Sequence, residues 1–531
     1  MSSMKIDVYS HHFTVYTGET YFFSPTNQLM NEFLKRNVQW DYKKQGWGHD
    51  AKVTREIKAK FFVTDRDNKE YRIHINQLQS FLEHLSNHGY SDYTLLYHNP
   101  EQLNFQEVIT SLKSHFTLRP LQVEAVNYCT SPNPILNTVP PWPYPAKLVE
   151  LQTGEGKSIV SMETASRMKS RFVMVIRAQY LQKWYNDILE AMDISPEEIY
   201  MVQGGDALRD VLQLGINNQL DNYKAIVVSN KTFQIYLRQF EEYGNVIDYP
   251  IMPYDFCTTL GAKVLLVDEG HQDFHLNYKI HLYTHTQLSV TTTATLVPDD
   301  PFLKKMARIV YPESLRFKPE DQEGFIQYRA FFYRFWNPKF IKTKNFKGYS
   351  HVEFEKSILK HAPTKRHYFA MLASIIENEY IRYIDENKVD KSQFKVIVFC
   401  SLIKMCTELT EFLQERFRTL DIRRYVGEDP YENLIEPDVR VTTPGSAGTA
   451  VDIPGLYLGI NTVAMGSSQQ SKQTIGRLRR RKDGIQPVYY ETYSLDIPVH
   501  EYFHSKKRSQ FNDKVAFFNS FNCFLASDKL I

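Results

Sequence analysis

Five short motifs stand in fixed order along this 531-residue chain: 153–158 (TGEGKS), 268–271 (DEGH), 293–295 (TAT), 442–454 (TTPGSAGTAVDIP) and 473–480 (QTIGRLRR). The first two hold residue types suited to a phosphate chain. Thr153, Gly154, Glu155 and Gly156 form a glycine-rich turn between an apolar run at 147–151 and a helical pattern from Ile159. Such a turn aims backbone N–H groups at phosphate oxygens. Lys157 suits the β- and γ-phosphates, and Ser158 suits a Mg²⁺ ion. The longer phosphate-loop pattern would start with glycine where this chain has Leu151, so the shorter version is present.

Asp268 and Glu269 end a second apolar run at 264–267. At the carboxyl end of a parallel strand, carboxylates face the ligand crevice. Asp268 suits Mg²⁺ held through water, and Glu269 suits polarising an attacking water. A solvated acidic turn is the alternative, and the phosphate loop upstream disfavours it. Gln473, Gly476, Arg477 and Arg480 follow a Q-x-x-G-R-x-x-R pattern. Phosphoryl transfer needs charge neutralised on the migrating group. Arg480 is the candidate finger and Arg477 the γ-phosphate contact; a basic solvated helix is the alternative.

These residues need two sheets to position them. Short apolar or β-branched runs at 147–151, 172–176, 225–229, 264–267 and 288–292 alternate with helical patterns, which predicts a parallel sheet covered on both faces. The rhythm lapses over 311–360, read as an interdomain segment. It returns with strands at 395–399, 439–442, 463–465 and 488–492 and a helix at 402–417. Residues 1–112 read as a small α+β domain, with strands at 13–17, 20–23 and 58–63 and helices at 27–35 and 75–88. The expected division is 1–112 accessory, 113–310 first α/β domain, 311–360 connector, 361–500 second α/β domain and 501–531 extension. The α/β part is expected to fold without residues 1–112.

Composition narrows the partners. The net charge is +2, so a nucleic-acid surface must be local. The local patch is in the accessory domain. Lys35, Arg36, Lys43, Lys44, Lys52, Arg55, Lys58 and Lys60 stand against Asp41, Asp50 and Glu56, interleaved with Trp40, Tyr42 and Trp47. Basic plus aromatic residues suit backbone attraction and base stacking; a solvated hairpin is the alternative. Five scattered cysteines without C-x-x-C pairs argue against a zinc site or disulfide framework. No apolar run reaches membrane-span length and no signal-peptide pattern opens the chain, so a cytoplasmic protein with no membrane partner is expected.

The ordered motifs resemble those of superfamily-2 helicases. The accessory domain ahead of the motor resembles that of the branch-remodelling group of UvsW and RecG type. The resemblance implies an α/β fold of two tandem RecA-like parallel-sheet domains with an N-terminal α+β domain. It implies ATP and Mg²⁺ as cofactors, nucleic-acid-stimulated hydrolysis, and DNA, branched or single-stranded, as partner. Fork regression, junction migration and R-loop unwinding in phage replication and recombination would follow, with recombination or replication proteins as further partners and a monomeric chain. An RNA helicase, or a nucleic-acid-binding regulatory module with weak ATPase activity, is the other reading.

Several roles come only from this resemblance. Arg119 and Gln122, in 116–126 (FTLRPLQVEAV), would serve the adenine. His271 would couple the site to the motor by hydrogen bonding, and the Thr293 and Thr295 hydroxyls would bond the DEGH segment. Gly448 and Asp452 would link nucleotide state to nucleic-acid grip. Arg177, Gly204, Gly205, Ser229, Thr232 and Ser401 would contact the phosphate backbone, with Lys43, Lys44 and Trp47 added by the local patch.

Overall fold

The computed structural model describes residues 4–524 other than 18–24, 46–53, 65–68, 133–139, 141, 143–144, 152–153, 244–247, 272, 295–299, 320–323, 347, 447–452, 467, 482 and 512–513. The chain forms two compact units, Met1–Pro319 and Glu320–Ile531.

The first unit holds a seven-stranded sheet. Its spatial order is Ile199–Val202, Ala225–Ser229, Phe172–Ile176, Val264–Asp268, Leu288–Thr293, Ala146–Glu150 and Arg316–Phe317, and every pairing is parallel. Phe172–Ile176 and Ala225–Ser229 are buried along their whole length, as strands covered by helices on both faces must be. The strand Leu288–Thr293 lies between the strand that feeds the phosphate loop and the strand that ends in Asp268. Its register pairs Thr292 with Asp268 and Thr293 with Glu150.

The N-terminal domain is a five-stranded mixed sheet, ordered Val63–Thr64, Glu70–His74, His12–Tyr16, Met4–Val8, Tyr93–Tyr97. Only the last pair is parallel. Helices Pro25–Asn37 and Leu78–Asn87 bury Met30, Phe33, Leu78 and Phe81. An antiparallel hairpin, Gln39–Gln45 with Thr54–Lys60, carries the basic patch. The expected strand at 20–23 lies outside the described residues.

Independence of this domain from the parallel-sheet domain is not what the packing provides. Phe61, Tyr71 and Ile73 share one buried apolar cluster with Phe274, Tyr278 and Ile280. The Phe61 and Tyr278 rings lie 5.0 Å apart, and His11 Nε2 is 2.7 Å from Ser289 Oγ. Uncovering each large apolar side chain costs about 1.5–3 kcal/mol. Removal of 1–112 therefore destabilises the first parallel sheet.

The second unit repeats the seven-stranded parallel sheet, ordered Ile422–Tyr425, Val439–Thr442, Lys395–Phe399, Leu456–Asn461, Val488–Ser494, Ile326–Arg334 and Val515–Phe524. The two sheets are tandem RecA-like domains behind an N-terminal α+β domain. Two expectations change here. Ile326–Arg334 falls in the stretch read as a connector, and Val515–Phe524 in the stretch read as an extension. They pair with one another to complete the sheet. The strand placed at 463–465 runs instead over Leu456–Asn461. Among the described residues no helix is long and apolar enough to cross a membrane.

Candidate nucleotide site

The phosphate loop leaves the strand Ala146–Glu150 and enters the helix Lys157–Arg167 through Gly154 (φ +90°) and Gly156 (φ +86°). Both lie in the left-handed region that favours glycine. Gly156 is also required by space, because a Cβ there would stand 2.0 Å from Gln122 Nε2. This helix starts on a residue with no side chain to cap it, so its first N–H groups remain available to an anion. Lys157 is buried. Its Nζ lies 3.3 Å from the Leu151 carbonyl oxygen and 3.9 Å from Glu269 Oε1. Ser158 follows it at half burial, and Glu155 is likewise half-buried. Thr153 lies outside the described residues.

Arg119 and Gln122 act on this loop from behind. Arg119 Nη2 donates to the Gly154 carbonyl at 3.1 Å, and Gln122 Nε2 donates to the Glu155 carbonyl at 3.0 Å. Gln122 Oε1 accepts from the Arg119 N–H at 2.9 Å. In this structure the pair braces the loop: Gln122 is 4 % exposed and both ends of its amide are engaged on backbone. It holds the loop at the height the two glycines allow.

Asp268 is fixed by three donors. Oδ2 accepts from Trp184 Nε1 at 3.0 Å; Oδ1 accepts from Thr292 Oγ1 and from the Glu269 N–H, each at 2.9 Å. With about four acceptor positions on a carboxylate, one remains for a water on a bound ion. Ser158 and Asp268 thus fit Mg²⁺, an ion that keeps several of its waters. Trp184 and Thr292 were not among the expected site residues. They reach Asp268 from a helix and from the neighbouring strand, so no local spacing announces them.

Glu269 is 5 % exposed and holds φ +52°, a strained backbone for a residue with a side chain. His271 Nδ1 is 2.7 Å from Thr293 Oγ1 and 3.2 Å from Glu269 Oε2. Burial, then the charges of Lys157 and Arg177, push the His271 pKa down to about 4. The ring is neutral at physiological pH, so it meets the neighbouring carboxylate without a charge. Gly270 allows this packing, because a Cβ there would meet Thr291 Cγ2 at 2.1 Å. Lys157, Asp268, Glu269, His271 and Thr293 therefore converge at the carboxyl ends of three adjacent strands. Thr295 lies outside the described residues.

The expected nucleic-acid contacts divide. Arg177 Nε pairs with Asp273 Oδ2 at 3.0 Å, and Asn230 Nδ2 donates to the same oxygen at 3.2 Å; both partners are partly exposed. Gly204 (φ +95°) donates its N–H to Thr232 Oγ1 at 2.8 Å, which leaves Gly205 to start the next helix. Ser229 and Thr232 are buried, and the Thr232 hydroxyl accepts the Gly204 N–H. Ser401 is half-buried. Its N–H and that of Leu402 donate to the two carboxylate oxygens of Glu355, each at 2.7 Å. Lys43 and Lys44 stand in the hairpin opposite Glu56 and Arg55. Trp47 lies outside the described residues.

In the second unit, the helix Ser468–Ile475 carries Gln473, and Gly476–Arg480 continue beyond its end. Arg477 is 4 % exposed, whereas Arg480 is exposed with its guanidinium 5.3 Å from the Phe325 ring centre. Arg479 to Arg481 border a cleft of about 510 Å³ with Gln393, Pro454 and Asp483. Gly448 and Asp452 lie outside the described residues.

No protein-family model and no curated protein matches the chain. Solved structures do. The T4 UvsW crystal structure is similar over 99 % of this chain and 100 % of that one, at 11 % identity and a TM-score of 0.35. Mss116p bound to ssRNA and AMP-PNP is similar over 76 % of this chain and 74 % of its own, at 12 % identity and 0.47. The Pyrococcus furiosus Hef helicase domain is similar over 73 % of this chain and 98 % of its own, at 13 % identity and 0.38. These are likenesses of fold, and at such TM-scores they add nothing to what strand order and loop geometry establish.

Proposed function

We propose that this chain is an ATP-driven nucleic-acid translocase of the superfamily-2 helicase type, acting on branched DNA. One observation carries the motor reading: Lys157, Asp268, Glu269, His271 and Thr293 meet at three neighbouring strand ends, with the glycine loop braced beside them. Lys157 neutralises the β/γ-phosphates, and the helix start at Gly156 offers amides to them. Bound Mg²⁺, seated by Ser158 and Asp268, would supply charge neutralisation on the same oxygens. Glu269, held by its strained backbone beside His271, orients and deprotonates the attacking water. Arg480 supplies the positive charge that meets the developing phosphoryl transition state.

Thr293 links this chemistry to movement. It shares His271 with Glu269, so a change at the γ-phosphate position reaches the strand that leads out of the sheet. The DNA preference rests on the basic stretch 35–60, whose eight cations lie within 26 residues of an otherwise near-neutral chain. ATP turnover measured in parallel with single-stranded DNA, forked DNA, a four-way junction and RNA tests both levels. Strongest stimulation by the fork or junction is expected. Stimulation by RNA alone overturns the DNA reading, and no stimulation by any of the four overturns the motor.

A further inference from the structure

A cluster of metal-ligating side chains stands on the N-terminal domain, away from the nucleotide site. The helix Leu78–Asn87 and its C-cap residue His88 place His84 and His88 four positions apart, hence on one face. Glu32 comes from the helix Pro25–Asn37, and its Oε2 lies 3.5 Å from His88 Nε2. One ligand atom from each of the three lies within 4.8 Å of the other two. The two imidazole rings sit with centroids 4.3 Å apart.

The far side of each ring makes the cluster more than a surface ion pair. His84 Nε2 is 3.0 Å from the Leu29 carbonyl oxygen, and His88 Nδ1 is 2.8 Å from the His84 carbonyl oxygen. A carbonyl only accepts, so each of these nitrogens carries its hydrogen. The remaining nitrogens, His84 Nδ1 and His88 Nε2, are then left with lone pairs, and the second faces Glu32. A backbone carbonyl behind each imidazole is the outer contact that sets the tautomer and orientation of metal-bound histidines. An exposed His88–Glu32 pair by itself would be worth little and would not need His84 at all.

We propose that Glu32, His84 and His88 bind one divalent transition ion of the zinc class. Two imidazole nitrogens and one carboxylate oxygen suit zinc with a water as fourth ligand, and disfavour Mg²⁺ and Ca²⁺, which take oxygen ligands. The ion joins two helices that apolar packing and the His84 contact to the Leu29 carbonyl already link. One of them, Pro25–Asn37, runs through Val38 directly into the basic hairpin. Metal occupancy therefore acts on the helix that leads into the strand holding Lys43 and Lys44. The histidine spacing is visible in the sequence, but Glu32 lies on a different helix and no spacing rule connects it.

The test uses the full chain, stripped with chelator and titrated with Zn²⁺ by calorimetry and with Co²⁺ by visible absorption. One tight equivalent of zinc and a four-coordinate cobalt spectrum are expected. His84→Ala and His88→Ala should each weaken zinc affinity by about 100-fold or more, and Glu32→Gln by at least about tenfold. All three variants should keep wild-type ATP turnover, which also shows that they fold, while zinc should raise the melting temperature of the wild type alone. A tight equivalent that survives the His84→Ala/His88→Ala double variant overturns the proposal. A wild type that shows no tight equivalent and no four-coordinate cobalt spectrum overturns it without reference to any variant.

Discussion

The two parallel sheets share strand number and direction, yet the helix starts at their carboxyl ends are opposite in chemistry. In the first, the strand Ala146–Glu150 leads to a helix that begins on Gly156, with Lys157 and Glu269 buried beside it. In the second, the strand Lys395–Phe399 leads to amides at Ser401 and Leu402 that are already occupied by the carboxylate of Glu355. At this helix start, on a strand third in its sheet where Ala146–Glu150 is sixth in the other, a carboxylate of the protein takes the amides. The same fold therefore holds one site open to phosphate and one closed by the protein itself. Fold alone does not assign chemistry; the side chains at strand ends do.

The comparison can be broken most severely at the arginines. Arg480→Ala should lower ATP hydrolysis by about 10³ or more with little change in ATP affinity, because a finger acts on charge that develops in the transition state. Steady-state kinetics with a nucleotide-binding titration separates the two effects. A loss confined to nucleic-acid affinity reassigns Arg480 to the binding track. Glu269→Gln should still bind ATP and Mg²⁺ while hydrolysing about 10²–10⁴-fold more slowly. Single-turnover measurements check this, and hydrolysis at the wild-type rate would remove Glu269 from water activation.

Glu355→Ala sharpens the other half. It strips the acceptor from two part-buried N–H groups, each costing about 1 kcal/mol where water can partly reach, so denaturant unfolding should show a second unit weaker by about 2 kcal/mol. The KM for ATP should not move. A raised KM with unchanged stability would mean that this helix start, too, meets nucleotide.

The smallest effect concerns acid. Burial pushes the pKa of His281 down to about 3 and of His285 to about 4, and lowers those of His11, His12 and His74 well below the usual range. Their unfolded values lie near 6.5, so protonation favours the unfolded chain. The stability they allow is complete above about pH 6.5 and is lost as pH falls from there toward 4. In the second unit burial lowers His500 to about 3 and also lowers His504. Hydrogen exchange at stepwise lower pH should thus show the first unit opening earlier. Earlier opening of the second unit would contradict this assignment.

Much of this arrangement is legible in the chain. FVMVI, AIVVS, VLLVD and KVIVF read as strands because helices cover both their faces, and buried strands need no polar alternation. Ile326–Arg334 hides because arginine and glutamine interrupt it, so it lacks the continuous apolar run of the fully buried strands. Leu456–Asn461 hides behind Gly459, which is needed because a Cβ would stand 2.9 Å from the Tyr489 ring. At the site, Lys157, Asp268 and Glu269 follow from motif order. Trp184, Thr292 and Glu355 do not. Each acts from an element distant in sequence, through a hydrogen bond that only the folded register creates.

The central claim is that the first sheet, and not the second, runs nucleotide hydrolysis through the loop at Gly154–Ser158. Lys157→Ala tests it most directly, with ATP turnover and fork-DNA affinity measured on the same preparation. Turnover should vanish while DNA affinity stays at the wild-type value, because Lys157 lies within hydrogen-bonding reach of the Leu151 carbonyl and close to Glu269, deep in the nucleotide site. Wild-type turnover in that variant would contradict the account.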